Sequence, residues 1–203
     1  MYLIGICHHK DMNKLEELRF MNVMFDCDLT FGVNGCDVDD GLALLYLLGS
    51  DKAKLLGITS TYGNSDIETV YRTTRKMLAD IGRSDLLLLR GCSMAGEKES
   101  EAVDFLIDTV NSHAGDISIL ATGSLTNLYG AYLKDPDFFD KVNRISLMGG
   151  LTETLLINGT VLDELNFSCD PEATYHVLTK AKNIGIATGN NCLDAFFSRE
   201  GYE

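Results

Sequence analysis

Positive charge is scarce in this chain. Lys and Arg together number 17 against 30 Asp and Glu, a formal net charge of −13. A surface this acidic repels nucleic-acid phosphates and anionic membranes, so neither is expected as a partner. The six cysteines, Cys7, Cys27, Cys36, Cys92, Cys169 and Cys192, include no C-x-x-C pair. That argues against a zinc site, and their scatter reads as the reduced thiols of a cytoplasmic protein. No apolar run reaches the roughly 20 residues of a membrane helix. The start, MYLIGICHHKDMNKLEEL, lacks a basic first region and a small-residue cleavage site. It reads as an N-terminal extension over residues 1–20, not as a signal peptide. Internal repeats, low-complexity stretches and linkers are missing too, so residues 1–203 are expected to form a single domain. Hydrophobic residues, at 45%, suffice for a sizeable core and exclude general disorder.

Strand-like and helix-like stretches alternate along the chain. Strands are predicted over 22–28, 54–60, 86–89, 117–121, 144–148 and 183–188. Helices are predicted over 39–48, 66–81, 97–111, 124–133 and 171–182, the last with Pro171 in its first turn. Such alternation predicts an α/β fold, a mainly parallel open sheet with helices on both faces. Ligands of such sheets bind beyond the carboxyl ends of the strands. The residues there are Asp26 and Asp28, Tyr62-Gly63-Asn64, Thr122-Gly123, Met148-Gly149-Gly150 and Asn190-Asn191. All five groups are expected to converge on one pocket.

Asp26, Asp28, Asp37, Asp39 and Asp40 crowd the first strand end and the following helix start. Acids at a helix N-terminus need no more than the helix dipole. Asp28 has no such reason to be acidic. Carboxylates this close repel one another unless a cation lies between them, and an all-oxygen set suits calcium or magnesium.

With these residues the chain resembles the nucleoside hydrolase family. That family carries Asp-x-Asp at the end of its first strand and Asp-Asp at the start of the next helix. Here stand Asp26-Cys27-Asp28 and Asp39-Asp40-Gly-Leu-Ala-Leu. Further segments follow in family order: Gly57-Ile-Thr-Ser-Thr-Tyr-Gly-Asn64, Ala121-Thr-Gly-Ser-Leu-Thr-Asn127, Met148-Gly-Gly150, and Glu164-Leu-Asn166 leading to Asp170-Pro-Glu-Ala173.

The resemblance implies hydrolysis of the N-glycosidic bond of ribonucleosides by a calcium-activated water. It implies Asp28 and Asp40 as metal ligands, with the Thr122 carbonyl beside them, and Asp28 as the base that takes the proton of the water. Asp39, Asn64, Met148, Asn158, Glu164 and Asn166 are implied as substrate contacts. A homo-oligomer is implied as the assembly. Amides and carboxylates suit a diol, whose hydroxyls both donate and accept. Read without the resemblance, Asn158, Glu164 and Asn166 are an ordinary polar loop and Asp170 a helix cap. His8 and His9 read as exposed, His113 as a helix end and His176 as a helix face. Tyr62, Tyr129 and Tyr132 have rings able to stack on a base, but read as packing residues.

Three features depart from the family pattern. Leu29 to Asp37 (LTFGVNGCD) lengthens the loop between the acidic pairs. A His-Gly loop after the third strand is replaced by Gly91-Cys-Ser-Met-Ala-Gly-Glu-Lys. A C-terminal segment carrying a further aspartate ligand and a histidine acid has no counterpart in these 203 residues. Calcium takes about six to eight oxygens, and the retained groups supply about four. A truncated chain, a site completed by another subunit, and a ribose- or nucleoside-binding protein without turnover all fit this shortfall. A different rival is the Asp-x-Asp-x-Thr opening of haloacid-dehalogenase-type phosphatases, which Phe25-Asp-Cys-Asp-Leu-Thr30 also fits. It would make Asp26 a nucleophile and require magnesium.

Overall fold

The computed structural model describes residues 20–157 and 159–193. The expected N-terminal extension and Asn158 lie outside them, apart from Phe20. The strands are β1 (Met21–Cys27), β2 (Ala53–Ser60), β3 (Leu88–Arg90), β4 (Ile117–Ala121), β5 (Arg144–Met148), β6 (Leu155–Ile157), β7 (Thr160–Leu162) and β8 (Ile184–Ala187). The helices are α1 (Asp39–Gly49), α2 (Ile67–Asp80), α3 (Glu101–Ser112), α4 (Thr126–Lys134), α5 (Phe138–Lys141), α6 (Pro171–Lys180) and α7 (Gly189–Cys192).

Six strands form one sheet in the order β3-β2-β1-β4-β5-β8, and every pairing in it is parallel. The expected α/β architecture is the observed one. Side chains alternate across a strand, so β1 serves two cores. Phe25 and Cys27 pack with Leu44 of α1, Ile58 of β2 and Met77 and Leu78 of α2. Met24 faces the other way, into the larger core with Val103, Leu106, Leu128, Ile145 and Val177. Each fully buried side chain of this size stabilises the fold by about 1.5–3 kcal/mol. The strand order reverses direction between β1 and β4. Ligand crevices open at such a switch point, beyond the carboxyl ends.

Helix ends follow local chemistry. Asp66 caps α2 by accepting from Thr69 N at 3.0 Å. Asp170 caps α6 by accepting from Ala173 N at 3.0 Å, with Pro171 behind it. The helix expected from residue 97 starts at Glu101 instead. The Glu97 carboxylate accepts from Ser93 N and Ser93 Oγ, Gly96 is left-handed (φ 81°), and the cap is Ser100. The β6–β7 hairpin, a separate antiparallel pair, lies where a polar loop was expected. The half-face formed by β4, β5 and β8 on the α1 side carries no helix among the described residues. It leaves a groove of about 480 Å³ whose lining includes Leu120, Thr122, Arg144, Met148 and Ile186. No described helix is long and apolar enough to cross a membrane.

Candidate metal and sugar site

β1 ends at Cys27, and Asp28 follows, fully buried at the switch point. Its Oδ2 accepts from Asn64 N at 2.6 Å and its Oδ1 from Asn64 Nδ2 at 3.3 Å. Asn64 therefore clasps the carboxylate from beyond β2. Gly63 has to be glycine, since a Cβ there would stand 2.1 Å from Asp28 Oδ2. The Asp28 N–H in turn donates to Asp40 Oδ2 at 3.1 Å. The two acidic pairs thus converge despite the longer loop between them. That loop folds onto the start of α1. Thr30 Oγ1 donates to the Asp37 carbonyl at 3.2 Å. A Cβ on Gly41 would fall 2.4 Å from the Phe31 ring, so the ring lies directly over Gly41. Cys36 Sγ donates to the Asn64 carbonyl at 3.6 Å.

Burial governs the electrostatics. Desolvation pushes the Asp28 carboxyl up to about 6, against the pull of the Asn64 N–H. Asp40, only 4% exposed, is held well above the carboxylate range by desolvation and then by the charge of Asp28. Two carboxylates in one buried space favour a cation between them. The donors present are all oxygen, and the Thr122 hydroxyl is buried beside Asp40 without a hydrogen bond of ordinary geometry. The Thr122 carbonyl accepts Asn166 Nδ2 at 2.9 Å, which leaves its second lone pair. These groups fit a hard cation. Among the described residues no three Asp, Glu, His or Cys side chains group to hold a metal ion.

The remaining expected residues fall into two groups. Asn166, 7% exposed, donates to the carbonyls of Thr122 (2.9 Å) and Met148 (3.2 Å), joining β4, β5 and the loop before α6. Asn64, Thr122, Met148 and Asn166 are therefore gathered around Asp28 and Asp40. Asp39 is exposed at the mouth, with Oδ1 accepting from Asp40 N at 3.0 Å. The Glu164 carboxylate accepts from Phe167 N and Ser168 N and braces its own turn.

The fifth expected strand end does not supply pocket groups. Asn190 Oδ1 accepts from Thr152 N at 2.8 Å, and Asn191 Oδ1 accepts from Thr188 Oγ1 at 2.8 Å, so both amides brace the local turns. Tyr62 is also committed. Its hydroxyl donates to the Cys169 carbonyl at 3.0 Å and pins the loop that carries Asn166. Among the residues with no role expected from sequence, Cys36 and Cys169 also border the site, Cys169 being raised by burial and then by the charge of Asp28. The long loop containing Cys36 was the only signal of this in the sequence. The described cysteines are all free thiols. Asp26 is unsuited to the phosphatase reading, because its carboxylate is tied to β2 and α4 beneath the site. It is fully buried, and its Oδ1 accepts from Thr59 Oγ1 (2.6 Å) and Asn127 Nδ2 (2.8 Å).

Buried acids gathered at the switch point of a six-stranded parallel sheet define the class: an α/β protein with its polar site beyond the carboxyl ends of the strands. Known proteins narrow it. Residues 23–200 match the family model described as inosine-uridine preferring nucleoside hydrolase, and the chain belongs to that family. It is 29% identical over 192 residues to the inosine-uridine preferring nucleoside hydrolase of Crithidia fasciculata, covering 80% of this chain and 58% of that protein. It is 27% identical over 190 residues to a probable uridine nucleosidase 2 of Oryza sativa subsp. japonica, covering 79% of this chain and 56% of the relative. The solved purine-preferring ribonucleoside hydrolase of Gardnerella vaginalis superposes with a TM-score of 0.71 at 27% identity, covering 82% of this chain and 60% of that one. The chain thus spans a little over half the length of these relatives.

Proposed function

We propose that this chain hydrolyses the N-glycosidic bond of ribonucleosides to free base and ribose, with calcium held by Asp28, Asp40 and Thr122. The observation that carries the proposal is the clasp at Asp28. Both its oxygens are held by Asn64, and its own N–H reaches Asp40. Calcium, when bound, supplies a Lewis acid that grips the sugar diol and makes a water more acidic. Asp28 accepts the proton of that water. Asn64 fixes the direction in which Asp28 accepts. Asn166 keeps Oδ1 as an acceptor for a sugar hydroxyl while its Nδ2 is bound to backbone. Met148 borders the sugar with apolar surface, and Asp39, Asn158 and Glu164 complete the hydroxyl contacts. The buried negative charge of Asp28 and Asp40 favours a transition state with cationic character at the anomeric carbon.

A second reading, ribose or nucleoside binding without turnover, is favoured by the two histidines among the described residues. His113 Nδ1 is bonded to the Thr109 carbonyl, and His176 is stacked on Tyr129. Neither is placed as an acid for the leaving base. The test offers inosine or uridine with calcium and measures reducing sugar. Hydrolysis predicts ribose release that Asp28→Ala abolishes. Ribose bound without any release supports the second reading. Release of phosphate from an aryl phosphate with magnesium, with no ribose from either nucleoside, contradicts both.

A further inference from the structure

Beneath the site lies a second buried group with no role in the proposed chemistry. Asn127, in the first turn of α4, is fully buried and uses both amide N–H groups and its carbonyl oxygen. Its Nδ2 donates to Asp26 Oδ1 at 2.8 Å and to the Ser60 carbonyl at 3.0 Å, and its Oδ1 accepts from Cys92 N at 2.8 Å. One side chain therefore ties the carboxyl ends of β1 and β2 to the segment after β3. The approach is so close that Gly91 has no room for a side chain. A Cβ there would lie 2.0 Å from the Ser60 oxygen and 2.4 Å from Asn127 Nδ2.

The tied points sit just before the functional ones. Asp26 precedes Asp28 by two residues, and Ser60 precedes Asn64 by four. Among the described residues Asp26 Oδ2 has no partner, so Thr59 and Asn127, both on Oδ1, are what hold that carboxyl. A slip of β1 against β2 by about an ångström would take the 2.6 Å bond from Asn64 N to Asp28 Oδ2 out of hydrogen-bond range.

We infer that Asn127, acting with Thr59 on Asp26, is a positioning residue that sets the register of Asp28 against Asn64 from beneath the site. Its consequence for metal affinity rests on the function proposed above; its consequence for the Asn64 hydrogen bond does not. The test uses the full chain as wild type, Asn127→Ala and Thr59→Val, the second variant being near-isosteric so that a folded protein is compared even if the first fails to fold. Two quantities are read: the amide proton resonance of Asn64 in a ¹H–¹⁵N spectrum, and calcium affinity by titration calorimetry. The Asn64 proton, on a short bond to a carboxylate, is expected downfield in wild type and displaced upfield in each folded variant. Calcium affinity is expected to fall about tenfold, the loss of roughly one hydrogen bond to a charged group. An unmoved Asn64 resonance in a folded variant whose melting temperature alone has dropped overturns the inference. Wild type that binds no calcium counts against the proposed function, and the Asn64 resonance then decides the positioning role by itself.

Discussion

At the scale of single residues, the account depends on how little room surrounds Asp28. Gly63→Ala introduces a Cβ 2.1 Å from Asp28 Oδ2, so the carboxylate or the backbone beyond β2 has to move. Because Gly63 is half-buried at a strand end and outside the cores, the expected result is selective. Calcium affinity and ribose release should fall about a hundredfold, the equivalent of roughly 3 kcal/mol, with much of the melting temperature retained. Calorimetry and a reducing-sugar assay on the same preparation check it. The acids also give the metal-free protein a definite pH response. Burial holds the folded Asp28 carboxyl at about 6 and that of Asp26 at about 7. A carboxyl raised by folding favours the folded state while protonated. Its contribution is complete below the ordinary value near 4 and is lost as pH rises through about 6 and 7. Asp66, Asp85 and Asp135 are lowered by their partners and act in the opposite sense, but they lie at or near the surface, where solvent screens them. Metal-free protein is therefore expected to melt at a higher temperature at pH 5 than at pH 8, with calcium recovering the loss at pH 8. Equal melting temperatures at the two pH values would contradict this electrostatic picture.

At the scale of elements, Asp170 joins the site loop to the sheet. It caps α6, and its Oδ2 accepts from Thr126 Oγ1 at 2.9 Å and from Gly96 N at 3.2 Å. Asp170→Ala removes all three bonds and leaves buried donors unpaired. It is expected to cost about 2–4 kcal/mol, or roughly 4–16 °C in melting temperature for a chain of this size. It should also weaken ribose binding, because Asn166 stands on the loop it anchors. Scanning calorimetry and ribose titration measure the two effects. This region marks where the sequence was legible and where it was not. The strands Ile117–Ala121 and Arg144–Met148 and the cap at Asp170 were readable because apolar runs and cap chemistry are local. The β6–β7 hairpin was not, since strands of three residues between polar neighbours carry almost no period. The site was readable as acids at strand ends, and the resemblance supplied its roles. The clasp of Asn64 on Asp28 and the bracing of Glu164 on its own turn were not. They depend on backbone directions that residue types do not encode.

At the scale of the molecule, the parallel sheet brings Asp28 after β1, Asn64 beyond β2, Thr122 after β4 and Met148 at the end of β5 to its carboxyl edge. The chain spans 56–58% of the length of the relatives described above, and among its described residues no three Asp, Glu, His or Cys side chains group to hold a metal ion. The most direct measurement is titration of calcium into the whole chain at pH 7.5, followed by ribose, in wild type and Asp40→Ala. Saturable calcium binding that strengthens ribose binding, both lost in the variant, is the expected result. No calcium binding by folded wild type, or identical binding by the variant, would contradict a cation shared between Asp28 and Asp40.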